Sequence, residues 1–397
     1  MIPALNSRLA SSATHSSRLT TDFSPFISVI VPVRNEAECI HQTLLQMLNQ
    51  RYDTERFEII VVDGQSTDTT WATVRTLQNH HANLHLLVNP QKWSSAGRNA
   101  AVRVAKGDIL VVIDGHCQLD DPDYLTHLAH AFERSGADCV GRPQPLHISG
   151  ANRLQRAIAL ARSSPLGHHP DSFIYSEVER YVPPQSVAVA YRREVFELVG
   201  LFDETFDACE DVEFNHRVAR AGLRCFFTPR VQVRYVPRDS FSGLFRQMVR
   251  YGRGRIRLLR KHKDTASVAC LLPAVFLCGL VMGPITLASP WLLAAYLDGL
   301  GLYTLAVFGF SLGLAWQVRE IRLLPWLALV FPTIHLGAGA GLIQELLFGM
   351  WTRMKYAFGR MPAAAEKPAQ ILAWRTRDKI VSPSLEQSPK LPRSMAG

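Results

Sequence analysis

The sequence has few of the features that would assign it quickly. Seven cysteines are scattered at positions 39, 117, 139, 209, 225, 270 and 278, with no C-x-x-C pair. An odd count leaves one thiol unpaired, which excludes a fully paired disulfide framework and fits reduced thiols in a cytosolic compartment. Residues 1–25 lack the apolar core of a secretory signal, and their Ser/Thr content predicts a disordered leader. Neither G-x-G-x-x-G nor G-x-x-x-x-G-K-S/T occurs, so the usual dinucleotide and P-loop cradles are missing. Charged residues make up only 19% and apolar ones 47%, too apolar a balance for disorder.

Charge is also missing locally. Thr265–Leu297 holds no charged side chain, nor does Gly299–Val318, and Leu323–Gln344 holds only His335 as a candidate. About 20 apolar residues span a bilayer as a helix. Three such runs predict membrane segments near 266–288, 291–315 and 323–347. In the third, Pro332 and the GAGAG stretch at 337–341 point to a broken or re-entrant segment. Eight basic residues precede the first run: Arg246, Arg250, Arg253, Arg255, Arg257, Arg260, Lys261 and Lys263. The positive-inside rule makes that side cytoplasmic. Arg319 and Arg322 agree with it if the first two segments form a hairpin. Arg353, Lys355 and Arg360 agree only if the third does not cross.

The net charge of +9 is unevenly placed, with an acidic balance before residue 241 and a basic one after. That divides the chain into two jobs and gives no uniformly basic surface, so no nucleic-acid partner is expected. Residues 241–263 read as an amphipathic basic helix at the membrane surface, near anionic headgroups. The tail at 361–397, with scattered Pro and Lys, reads as disordered.

What is present in the front half is alternation. β-branched runs at 27–33, 58–63, 84–88, 108–114 and 137–141 are separated by helical patterns at 36–50, 68–79, 94–106 and 122–135. This predicts an α/β fold with a mostly parallel, Rossmann-like sheet covered on both faces. Residues 141–184 read as an irregular, acceptor-side loop. Ligands bind at the carboxyl ends of such strands, and polar residues stand there: Arg34, Asn35 and Glu36, then Asp63 in VVDGQSTDTT, then Asp114 and His116 in VVIDGHC. Singly each is ordinary, since Asp at a strand end commonly turns the chain, and Ser66 or Asp68 could cap the next helix. Three acidic strand ends on one edge repel unless a cation or a hydrogen-bonding ligand satisfies them.

Together, ISVIVPVRNEAECI, VVDGQSTDTT, SSAGRNAAVRVAKGDILVVIDGH, LFDETFDACEDVEFNHRVARAG and Gln247-x-x-Arg250-Tyr251 resemble the inverting family 2 glycosyltransferases. The similarity is strongest to the membrane-anchored enzymes of succinoglycan-type exopolysaccharide synthesis. It covers roughly 27–262 well, and implies a nucleotide-diphospho-sugar transferase-like catalytic domain over 26–240, with membrane segments over 264–350. It implies that Pro32, Arg34, Glu36 and Asp63 hold the donor's nucleobase, and that Arg98 lies near its diphosphate or sugar. Asp114 and His116 correspond to the family's D-x-D metal motif, with His replacing the second Asp, so that Mn²⁺ or Mg²⁺ is implied. Asp211, beside Glu210, matches the catalytic base. Gln247, Arg250 and Tyr251 belong to the acceptor or diphosphate side, where Arg250 counts as catalytic. The implied partners are a nucleotide-sugar donor, a lipid-linked or saccharide acceptor, and membrane lipids. The implied place is the inner or plasma membrane, multi-pass, with the catalytic domain in the cytoplasm.

Two other readings of the same residues are transfer to a polyprenyl phosphate, whose oxygen needs no strong base, and a membrane scaffold without turnover. A nucleotidylyltransferase on a similar sheet would carry a Gly-rich loop where VPVRNEAE stands.

Overall fold

A computed structural model describes residues 24–146, 150–168, 173 and 176–358. The expected tail, and the expected leader up to residue 23, lie outside these residues, while Ser24 and Pro25 are bonded to Tyr52 and Arg56. The chain divides into compact units at 1–350 and 351–397, and the sheet and the site lie in the first.

The front of the sheet is β1 (Ile27–Val33), β2 (Phe57–Asp63), β3 (Leu84–Val88) and β4 (Ile109–Val112), with α1 (Ile40–Leu48), α2 (Thr70–Gln78) and α3 (Ser94–Val104) as crossovers. These strands run parallel in the order β3-β2-β1-β4. Every residue of β2 and β4 is buried, as strands covered on both faces must be. The short β5 (Cys117–Gln118) and α4 (Tyr124–Ser135) follow, then β6 (Cys139–Gly141) and α5 (Arg153–Arg162). Next come β7 (Arg180–Val182), β8 (Ala188–Arg192), α6 (Arg193–Val199), α7 (Glu210–Arg220), β9 (Cys225–Phe227) and β10 (Arg234–Tyr235). The sheet continues from β4 through antiparallel β8 to β6, β9 and β7.

The expected alternation is therefore present and the sheet is mixed beyond β4. One expectation is corrected. The stretch 141–184 is not wholly irregular, because α5 lies within it. Asn152 caps that helix by accepting from Gln155 N–H, while Gln155 returns a bond to the Asn152 N–H.

The back half is helical: α8 (Phe241–Lys261), α9 (Val268–Met282), α10 (Pro290–Gln317) and α11 (Leu324–Phe358). Three helical stretches, Val268–Ala288, Pro290–Gln317 and Ile321–Trp351, are long and apolar enough to cross a membrane. The first two expose most of their apolar side chains, among them Val268, Leu287, Trp291 and Trp316. The third is not broken at Pro332 or at GAGAG; α11 is continuous through both. The glycines serve packing. A Cβ at Gly337 or Gly341 would meet the α8 backbone at Phe245 and Val249, and one at Gly339 would meet Pro273 of α9. Gly252 of α8 faces Ala338 in return. Small residues let helix backbones approach closely, and GAGAG is such a face.

Candidate active site

The site is built where β1, β2 and β4 end. Asp63, the last residue of β2, is buried, and its carboxylate accepts from the Ser66 N–H at 3.0 Å and from the Ser66 hydroxyl. Ser66 Oγ accepts in turn from Asn35 N–H at 2.9 Å, and Asn35 Oδ1 accepts from Thr67 N–H at 2.8 Å. Thr70 Oγ1 accepts from Glu36 N–H, and Asp68 from Ala37 N–H. The D-G-Q-S-T-D-T-T segment is thus laced to the loop R-N-E-A. Ser66 and Asp68 serve this lacing, and the N-cap residue of α2 is Thr69, which makes no side-chain cap bond. Asn35 and Gln65 both hold positive φ, at 56° and 57°. Such backbone strain persists where surrounding bonds over-determine it.

Asp114 and His116 follow β4, and Gly115 separates them for a steric reason. A Cβ at Gly115 would lie 2.6 Å from Val33 Cγ1, inside any real contact. The missing side chain lets this turn close on the end of β1. His116 Nδ1 then sits 3.0 Å from Glu36 Oε1, and the ring packs edge-to-face on Tyr235 at 5.6 Å. Asp114 Oδ2 accepts from the Tyr235 hydroxyl at 2.9 Å, held there by the β5–β10 pairing. Tyr235 was not legible as a site residue, since nothing local in R-Y-V-P marks it. The fully buried Arg142, which donates to Val112 O at 2.9 Å, was missed for the same reason.

Arg98 of α3 joins this turn to α7. Its Nη2 lies 3.7 Å from Asp114 Oδ1 and 3.4 Å from Glu210 Oε1. The guanidinium packs over Phe202, and its Nε has no hydrogen-bond partner. Burial opposes the charge on Arg98, but Glu210, Asp114 and Asp211 outweigh it and raise its pKa further. Burial likewise opposes ionisation of Asp114, and Arg98, His116 and the Tyr235 hydroxyl overcome it and lower its pKa. At His116 burial favours the neutral ring, yet the Glu36 hydrogen bond and the Asp114 charge win, so its pKa is raised.

Glu210 and Asp211 open α7, where carboxylates suit the helix dipole. Their environments differ. Glu210 is buried beside Arg98, and burial raises its pKa against that cation. Asp211 is exposed. The preceding Cys209 has φ of 62°, a sharp entry that turns the pair toward Arg98.

The remaining candidates lie further out. Pro32 is in β1 and Arg34 is exposed beyond it. Arg250 Nη2 donates to Asp207 O at 2.9 Å, and Gln247 Nε2 donates to Tyr251 Oη at 3.2 Å. Arg250 and Tyr251 contact the loop leading into α7, and Gln247 reaches it only through Tyr251. The expectation that the whole basic face of α8 meets lipid headgroups is narrowed. Arg253 and Arg257 pair with both Asp207 and the buried Glu345 of α11, and Arg260 pairs with Glu345.

The site is thus a cluster of acids and one arginine at the strand ends of an α/β domain, beside a laced first loop. Residues 28–198 match the model of glycosyl transferase family 2. The succinoglycan biosynthesis protein ExoA of Rhizobium meliloti (strain 1021) is 29% identical over 321 residues, 80% of this chain and 94% of that protein. The dolichyl N-acetyl-alpha-D-glucosaminyl phosphate 3-beta-D-2,3-diacetamido-2,3-dideoxy-beta-D-glucuronosyltransferase of Methanococcus voltae is 26% identical over 244 residues, 59% of this chain and 74% of that protein. The mannosyltransferase PcManGT from Pyrobaculum calidifontis, solved with GDP-Man and Mn²⁺, has the same fold, with TM-score 0.50 and 22% identity over 81% of this chain and 87% of that one. The chain carries a family 2 glycosyltransferase domain and is a glycosyltransferase.

Proposed function

We propose that the protein transfers a sugar, with inversion, from a nucleoside-diphosphate donor to a lipid-linked saccharide at the membrane surface, in polysaccharide synthesis. Donor binding falls to the loops after β1 and β2, with Pro32, Arg34, Glu36 and Asp63 on the nucleobase side. Asp114 and His116 offer a carboxylate and an imidazole, a donor set that suits Mn²⁺ better than Mg²⁺. They fit a cation in a second way: the field that raises the pKa of His116 also favours a metal. A divalent ion there would offset charge on the departing diphosphate, and Arg98 adds a fixed positive charge beside it.

The observation that carries the reading is the split between Glu210 and Asp211. Glu210 is engaged by Arg98, whereas Asp211 is open to an incoming group. Asp211 takes the proton of the acceptor hydroxyl as its oxygen bonds to the anomeric carbon, and the bond from that carbon to the diphosphate breaks on the opposite face. Arg250, Gln247 and Tyr251 lie on the acceptor or diphosphate side. The test is Asp211→Asn: a drop of about 10²–10⁴-fold in transfer is expected, with donor affinity nearly unchanged. Near-normal turnover would remove Asp211 from the mechanism and favour transfer to a polyprenyl phosphate. A non-catalytic scaffold would show no turnover in either form.

Membrane association follows from α9 and α10 as a hairpin, with the catalytic domain on the cytoplasmic side. Glu345 under three arginines, and the glycine face against α8, hold that part of α11 at the level of α8. A third crossing is then unnecessary; in this reading 26–240 is the catalytic domain, 241–263 the helix at the membrane interface, and 264–350 the part that holds the membrane segments.

A further inference from the structure

Away from the strand ends, two histidines and an aspartate meet where α7 passes the end of α8. His216 lies on the second turn of α7, His262 caps the carboxyl end of α8, and Asp264 sits in the turn that leads into α9. Each offers one ligand atom, and the three atoms lie within 4.8 Å of one another. His216 Nε2 and Asp264 Oδ2 are 3.1 Å apart, close to the spacing of about 3.3 Å between two ligand atoms on one tetrahedral zinc. His216 is only 8% exposed, and its Nε2 has no hydrogen bond of proper geometry. A buried imidazole nitrogen facing a carboxylate, with a second imidazole ring beside it, is a donor set that one cation can share.

The surroundings supply what a metal-binding histidine needs behind it. The fully buried Glu213 holds His262 Nε2 at 3.0 Å. The tautomer protonated at Nε2 keeps its lone pair on Nδ1, as in carboxylate–histidine–metal arrangements. Glu213 is itself committed to Arg217 and Lys261, so it orients the ring and does not compete as a ligand. The rings of His216 and His262 stand 4.6 Å apart. Two like-charged imidazolium rings at that distance repel, whereas two neutral rings can share one cation.

We propose that His216, His262 and Asp264 form a second divalent-metal site, of the Zn²⁺ class, that fastens α7 to the foot of the first apolar helix. Two imidazoles and one carboxylate suit zinc and related transition metals and are poor ligands for Mg²⁺ or Ca²⁺. Asp264 is half-exposed, which gives the ion an entry path and leaves a coordination position to water. The site lies one and a half turns along α7 from Glu210 and Asp211, about 8–9 Å at 1.5 Å per residue. A clamp there fixes the helix that presents both acids.

The test uses the untagged full chain in detergent, stripped with chelator and titrated with Co²⁺ alone, read by its visible absorption and by metal analysis. About one equivalent with four- or five-coordinate absorption should bind, and it should persist in Asp114→Ala, which separates it from the donor site. Asp264→Asn, at a half-exposed position, and His216→Ala should each weaken this binding at least ~10-fold. Glu213→Gln should weaken it ~10–100-fold, as loss of an outer-shell partner does. Zn²⁺ should raise the Tm of the wild type and not that of Asp264→Asn. Absence of tight Co²⁺ uptake by a folded chain, or equal affinity in wild type, His216→Ala and Asp264→Asn, would overturn the site.

Discussion

His116 shows how one residue changes the chemistry of a motif. Its imidazole stands between Glu36 and Asp114, so in the metal-free protein it gains a proton more readily than an ordinary histidine. Burial works against that proton, and the two carboxylates overcome burial. The sign follows directly. The pKa is raised, so the protonated ring stabilises the fold below the ordinary histidine range, and that contribution is lost as pH rises through the raised value. A metal at Asp114 and His116 must displace the same proton. Mn²⁺ affinity at the donor site should therefore increase as pH rises through the raised value. Glu36→Gln should move that rise to lower pH, as measured by Mn²⁺ titration at several pH values. An unchanged profile would mean that His116 is not a ligand. The strand-end acids were legible because each closes a β-branched run. The contacts that tune them were not, because Tyr235 and Glu36 reach this turn from residues 121 and 78 positions away from Asp114.

Among the elements, α8 lies between the 207–209 loop and the apolar helices. One face carries Gln247, Arg250 and Tyr251 toward the 207–209 loop, and Gly252 and its neighbours pack on α11. Its arginines are not equivalent. Arg257 bridges Asp207 and Glu345, so its removal leaves carboxylates without their partner and disturbs packing. The exposed Arg246 is the fair comparison. Arg250→Ala should lower transfer at least ~10-fold without changing membrane fractionation, and Arg246→Ala should leave both nearly unchanged. Arg250→Lys should restore only part, because an ammonium lacks the fork that grips two oxygens. Equal, mild losses at 246 and 250 would reduce α8 to a charged anchor. The helix itself was legible from its apolar spacing and its run of bases. GAGAG was misread because small residues signal both weak helices and close helix contacts, and only the facing backbone distinguishes them. Glu345 carries no local mark either; its meaning lies in three arginines about 85 to 92 residues earlier.

At the scale of the whole molecule, the sheet end with the proposed donor site and the apolar helices are joined through α7, α8 and α11. The alternation of buried strands and short crossovers made the first half readable, since each strand there is a mostly apolar run, interrupted only at positions such as Ser28, Glu58 and His85. Beyond β4 the strands shorten to two to five residues and pair mostly antiparallel across long intervals, with β6 and β9 parallel, and periodicity no longer marks them. The two exposed apolar helices α9 and α10 make sense if the acceptor's lipid end stays in the bilayer while its sugar end reaches Asp211. The most direct measurement supplies labelled nucleotide sugars and Mn²⁺ to vesicles holding the full chain and lipid-linked acceptors. Label and anomeric configuration are then followed in the lipid extract. The account predicts label in the lipid fraction with inverted configuration, dependent on both the metal and Asp211. Retained configuration, or equal transfer to water-soluble acceptors without any lipid, would contradict it.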